Sequence, residues 1–146
     1  MKKVIVLNRF QAQQLTEVDS SLTRAIISIS NWADDHPQFN TNNHSIAAIK
    51  YVEFLDMDTD ELGKYEPECF ISKETARDIA EFVKEWWDRV DQIVVHCDGG
   101  VSRSAGCAAA ILKYFTGDDF EIFDNPNYYP NMLVYRRVLN ALMEEE

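Results

Sequence analysis

The chain has 146 residues, 46% of them apolar, and a formal net charge of −11 at pH 7. This length fits one domain with a core of its own, and the composition excludes a disordered or collagen-like chain. The acidity makes nucleic acid and anionic membranes poor partners, and no apolar run approaches the ~20 residues of a membrane span.

Val4–Asn8 reads as a first β-strand. The lysines before it precede an apolar run of only four residues, too short for a secretory signal. Ala25–Ser30, Ala-Ile-Ile-Ser-Ile-Ser, predicts a second strand. Asn31–Asn43 contains Asp34-Asp35, Pro37 and several asparagines and reads as a loop. Ser45–Leu55 predicts a third strand, followed by a long acidic loop from Asp56 to Ile71.

Ser72 is a helix cap, with Glu74 favouring the dipole in the first turn. The apolar residues Ala76, Ile79, Ala80, Val83, Trp86 or Trp87, and Val90 share one face of that helix. Gln92–His96 has the continuous apolar character of a fully buried strand. Ser104–Phe115 is alanine-rich and helical, and Thr116–Asn127 is a connector holding Gly117 and Pro126. A last helix starts near Pro130, which suits a first-turn position, and carries Leu133, Tyr135, Val138, Leu139 and Leu142. Alternation of this kind predicts one α/β domain over residues 1–146, with a mainly parallel central sheet flanked by helices.

The chemistry concentrates in His96-Cys97-Asp98-Gly99-Gly100-Val101-Ser102-Arg103-Ser104, between a buried strand and a helix starting near Arg103. Ligands of α/β sheets bind at this end of the strands. The amides of Asp98, Gly99, Gly100, Val101, Ser102 and Arg103, with the helix N-terminus, form an anion seat. Gly99 and Gly100 allow a tight turn close to a ligand. The same positive field favours the thiolate of Cys97. Arg103 offers a planar fork for two phosphate oxygens and for charge developing in a transition state. Ser104 is placed to donate to the Cys97 sulfur. A lone cysteine, arginine or glycine pair is ordinary; this combination at a strand-to-helix turn points to a nucleophile.

The other cysteines are Cys69 and Cys107. An odd, sparse count argues against a disulfide framework and for a reducing compartment, hence a cytoplasmic location. Without a CxxC pair or a histidine cluster, a structural zinc site is not expected. Cys107, one turn past Arg103, reads as core, with a resolving role toward Cys97 under oxidation as the alternative, and Cys69 is a weaker candidate of the same kind.

His96-Cys97, five intervening residues, Arg103 and Ser104 resemble the signature of the protein tyrosine phosphatase superfamily. Gly100 and Ser102-Arg103-Ser104 are closest to its dual-specificity branch and small bacterial members. The likeness covers about Ile49 to Phe115. It implies attack by Cys97, a phosphocysteine intermediate and its hydrolysis by water, with no metal or organic cofactor. His96 would tune Cys97 through hydrogen bonding in the loop.

The resemblance also implies an aspartate from an upstream loop as general acid. Asp56 fits the short Phe-x-Asp-apolar pattern of bacterial members, Asp58 fits the Asp-Thr pattern of some eukaryotic ones, and Asp60 is a third choice. The spacing from these residues to Cys97 is longer than usual, which places an insertion around Leu62–Cys69. Tyr128-Tyr129-Pro130-Asn131 resembles a stretch before the last helix in bacterial members, where it either lines the pocket or packs at the helix start.

The implied substrates are phosphotyrosine, and beyond it phosphoserine, phosphothreonine or small phosphoesters, carried by a phosphorylated protein or free. The interior Asp98–Ser102 contains no Lys or Arg, which disfavours a polyanionic lipid head group. Two further readings are a phosphate-binding module without turnover and a rhodanese-like sulfurtransferase.

Overall fold

Parallel pairing of four strands builds the frame that carries the Cys97 loop. The structure is a computed structural model that describes residues 1–59 and 64–144. Strand β1 (Val4–Leu7) leads into helix α1 (Arg9–Thr16). Strands β2 (Arg24–Ser30) and β3 (Ile46–Glu53) precede α2 (Lys73–Trp86), β4 (Gln92–His96) and α3 (Arg103–Thr116). The one-turn α4 (Phe120–Phe123) and α5 (Met132–Met143) complete the order. The strands run β1-β4-β2-β3, every neighbouring pair parallel. This is the α/β domain that the alternation predicts.

The inner position of β4 explains its composition. All five residues of Gln92–His96 are buried, as expected for a strand with partners on both edges and cover on both faces. Ile27 and Ile29 of β2 and Ile93 and Val95 of β4 enter one core with Ile79 and Val83 of α2, Ile111 of α3 and Leu142 of α5. The side chains between them point the other way. There Ile26, Ser28, Val94 and His96 are buried outside that cluster, with Ala12 of α1 and the ring of Phe39 as cover. Among the described residues, no helix is long and apolar enough to cross a membrane.

Four local readings change. The first strand ends at Leu7, because Asn8 caps α1: its side chain accepts from the Gln11 amide while Gln11 Oε1 accepts from the Asn8 amide. This reciprocal capping box substitutes for apolar periodicity, which α1 lacks, since only Ala12 and Thr16 are buried. The acidic loop contains a 3-10 turn at Pro67–Cys69, and the connector after α3 contains α4. The last helix begins at Met132 rather than at Pro130, because the Asn131 side chain accepts from the amides of Leu133 and Val134.

Candidate active site

Cys97 follows the last residue of β4 and is 3% exposed. Its Sγ lies 3.0 Å from Ser104 Oγ, the contact expected from the spacing. The chain then turns into α3, whose first residue is Arg103. Ser102, in the capping position, makes no side-chain bond to the helix amides. The leading N–H groups of α3 are thus left for a ligand.

The tight turn belongs to Gly100 alone. Its φ is +67°, and a Cβ there would stand 2.7 Å from Asn8 N and 2.8 Å from Leu7 C, jamming the loop against the end of β1. Gly99 needs no such freedom, since a Cβ on it would meet only Val101 Cγ2 at 3.9 Å. Val101 is exposed at the loop's tip.

Arg103 is a fixed group. Its side chain is 6% exposed, and Nη1 donates to Asn31 Oδ1 at 2.8 Å and to the Phe54 carbonyl at 2.7 Å. Those bonds use both Nη1 protons, so the Nε–Nη2 edge remains to grip an anion in bidentate fashion. Asp98 Oδ2 stands 3.6 Å from Nη2. The Asp98 carboxylate is also 3.9 Å from Arg9 Nη1 and accepts from Asn31 Nδ2 at 3.4 Å.

Of the candidate acids, the structure brings Asp56 to the loop. Its Oδ1 accepts from Ser102 Oγ at 2.8 Å and from Asn131 Nδ2 at 2.9 Å. Asn131 Nδ2 also donates to the Met57 carbonyl at 3.1 Å. Both bonds to the carboxyl fall on Oδ1, which leaves Oδ2 uncommitted among the described residues. Asp58 is exposed and makes no hydrogen bond or ion pair among the described residues. Asp60 lies outside them, as do residues 61–63, which include the first two positions of the insertion expected around Leu62–Cys69. The rest of that segment braces the acid loop: the Glu68 carbonyl accepts from Leu55 N at 3.0 Å and the Cys69 carbonyl from Met57 N at 3.1 Å.

His96 lies under the loop, fully buried, with Nδ1 3.2 Å from the Cys97 carbonyl and Nε2 2.6 Å from Ser28 Oγ. Burial pushes its pKa down to about 4, so the imidazole is neutral. Cys107 is fully buried in the core, and burial pushes its thiol up to about 12. Cys69 is partly exposed, and all three cysteines are free.

Arg9 and Asn31 are site residues that sequence reasoning passes over. Asn131 belongs to the stretch Tyr128–Asn131, for which the resemblance offers pocket lining or packing at the helix start. Its side chain serves both: Oδ1 caps α5 while Nδ2 reaches Asp56. Arg9 and Asn31 arrive from the ends of β1 and β2, which only the strand order brings beside β4.

The fold is that of the dual-specificity phosphatases within the protein tyrosine phosphatase superfamily. The human tyrosine phosphatase-like serine/threonine/tyrosine-interacting protein superposes with a TM-score of 0.65 at 13% identity, over 94% of this chain and 89% of that one. Human DUSP28 gives 0.62 at 15% identity, over 96% and 91%. A mouse dual specificity phosphatase solved with zinc tungstate gives 0.61 at 16% identity, over 95% and 81%. At these identities the likeness is one of fold. The sequence itself matches no protein-family model and no curated protein.

Proposed function

We propose that the protein hydrolyses phosphate monoesters through a phosphocysteine intermediate. One observation carries the reading: Asp56, 41 positions before Cys97 in the chain, is tied by Ser102 to the loop that holds Cys97 and Arg103. A nucleophile, an anchored cation and a carboxyl group thereby face one seat.

In this reading the phosphoryl group takes the place beside Arg103 that the Asp98 carboxylate borders. The Nε–Nη2 edge and the loop amides hold its oxygens. Cys97 Sγ attacks phosphorus and the P–O bond to the leaving group breaks. The proton on Asp56 Oδ2 passes to the departing oxygen. Water then attacks the phosphocysteine and gives its proton to the Asp56 carboxylate. The P–S bond breaks, and the Ser104 hydroxyl, 3.0 Å from Sγ, stabilises the departing thiolate. No step calls on a metal or an organic cofactor.

Phosphotyrosine is the preferred substrate class, with phosphoserine, phosphothreonine and small phosphoesters beside it. The absence of Lys and Arg from Asp98–Ser102 and the carboxylate at the rim of the seat disfavour a polyanionic head group. The free thiols favour a reducing compartment such as the cytoplasm. A second reading is a domain that binds phosphate without turnover, favoured by the long spacing between the acid loop and Cys97.

The test is hydrolysis of p-nitrophenyl phosphate and phenyl phosphate by the wild type, Cys97→Ser, Arg103→Ala, Asp56→Asn and Asp58→Asn. Turnover that is lost in Cys97→Ser supports the phosphatase. Asp56→Asn should lose about 10²-fold or more on phenyl phosphate, whose poor leaving group needs the proton, and much less on the nitrophenyl ester. Phosphate that protects the wild type thermally without any ester being hydrolysed selects the binding module.

A further inference from the structure

Behind the candidate site a line of side chains runs from the Cys97 carbonyl to the surface across three strands. His96 Nδ1 lies 3.2 Å from the Cys97 carbonyl oxygen, and His96 Nε2 lies 2.6 Å from Ser28 Oγ. Ser28 Oγ is 2.7 Å from His36 Nδ1, and His36 Nε2 is 2.6 Å from Glu53 Oε2. The sheet makes the line possible. Ser28 and His96 are register partners on β2 and β4 and point to the same face. Ser30 and Glu53 are partners on β2 and β3, which sets Glu53 on that face too.

The protons along this line have one consistent arrangement. A carbonyl oxygen can only accept, so His96 Nδ1 carries a hydrogen and donates it. His96 is neutral in its buried position, so Nε2 has a lone pair and accepts from the Ser28 hydroxyl. Ser28 has only that one hydrogen, so its oxygen accepts from His36 Nδ1–H. One further proton is then shared between His36 Nε2 and Glu53 Oε2. The surroundings keep the line dry: Ser28 is fully buried, the His36 side chain is 8% exposed, and only Glu53, at 35%, reaches water. Phe39 packs edge-on to His96 and Tyr51 edge-on to His36, at centroid distances of 5.8 and 4.9 Å.

We propose that Ser28, His36 and Glu53 are positioning residues of the Cys97 loop, which fix the proton of His96 on Nδ1 and so hold the Cys97 carbonyl turned away from the anion seat. In a trans peptide the carbonyl and the following N–H point in opposite directions. Holding the carbonyl toward His96 therefore aims the Asp98 amide away from it, toward the thiolate and the phosphoryl group. With the proton on Nε2 instead, two lone pairs would face each other at Nδ1 and the carbonyl, and the peptide would be free to swing.

The proposal rests on the phosphatase reading for its catalytic consequence, and its test has readouts that need no turnover. Long-range ¹H–¹⁵N correlation spectra of the wild type should show His96 as the Nδ1–H tautomer. Ser28→Ala and His36→Ala should introduce the Nε2–H form. Both should slow alkylation of Cys97 by iodoacetamide at pH 6 about fivefold, the effect of one neutral hydrogen bond. The kcat on phenyl phosphate should fall by a similar factor with KM within twofold, and Glu53→Gln, which can still hydrogen-bond His36, should behave as wild type. An Nε2–H tautomer in the wild type overturns the proposal. So does unchanged alkylation in a folded Ser28→Ala. If the spectra and alkylation rates come out as expected while no ester is hydrolysed, the positioning role stands and the phosphatase reading falls.

Discussion

Replacing Gly106 by alanine tests whether the meeting of α3 and α5 positions the candidate general acid. In an ordinary helix interior this change stabilises by about 1 kcal/mol. Here a Cβ would stand 2.4 Å from the Asn131 carbonyl oxygen and 3.3 Å from Asn131 C and N. That carbonyl accepts from Tyr135 N at 3.0 Å, and the Asn131 amide donates to the Ser102 carbonyl at 3.0 Å, so the backbone is held at both ends. Ordinary contact requires a separation of 3.4 Å or more, so the start of α5 must retreat by about 1 Å. Overpacking of this kind costs about 1–3 kcal/mol. Together with the strained hydrogen bonds it exceeds the gain in propensity, for a net loss of about 1–2 kcal/mol, or about 3–6 °C in Tm for a domain of this size.

The retreat also draws Asn131 Nδ2 away from Asp56 and Met57. Phenyl phosphate turnover should therefore fall about tenfold, part of the worth of a general acid, and nitrophenyl phosphate turnover much less. Asn131→Ala should reproduce the catalytic loss. A Gly106→Ala protein that melts at or above the wild-type temperature, with full phenyl phosphate activity, would refute this account of the α3–α5 contact.

Two further outcomes follow from burial. His96 is neutral when folded, with its pKa lowered from 6.5 to about 4. The unfolded chain binds a proton below about pH 6.5 that the native state refuses. Stability should thus fall as pH drops from about 6.5 to about 4, by about 3 kcal/mol in all. Urea titrations of wild type and His96→Asn should differ in slope by about one proton in that window; parallel slopes would contradict a neutral His96. Cys107, its thiol held near 12 in the core, should stay unlabelled in native protein while Cys97 is alkylated, as peptide mass mapping would show, and modification of Cys107 before unfolding would place it outside the core.

The central loop was legible in the sequence because its signals are local. A buried strand, a cysteine, a glycine at the turn, an arginine and a helix follow one another within a few residues, and local geometry places them without help from the rest of the chain. The run Gln92–His96 announced an inner parallel strand because cover on both faces demands apolar residues throughout. Helix α1 escaped because it is held by a capping box at Asn8 and Gln11 rather than by an apolar stripe.

The choice between Asp56 and Asp58 lay beyond the sequence, since both sit in the same acidic run two residues apart. The structure shows which of the two meets the loop: Ser102 and Asn131 reach the Asp56 carboxylate and not that of Asp58, once α3 and α5 have packed together. Arg103 shows the same division. Its place in the loop is local, whereas its aim depends on Asn31 and the Phe54 carbonyl, delivered by the ends of β2 and β3. The line from His96 to Glu53 is wholly tertiary, because strand register sets Ser28 beside His96 although 68 positions separate them. The sequence alone determined which chemical groups sit in the loop. Only the folded sheet decided which way they point and what holds them, because hydrogen-bond direction is a property of neighbours in space.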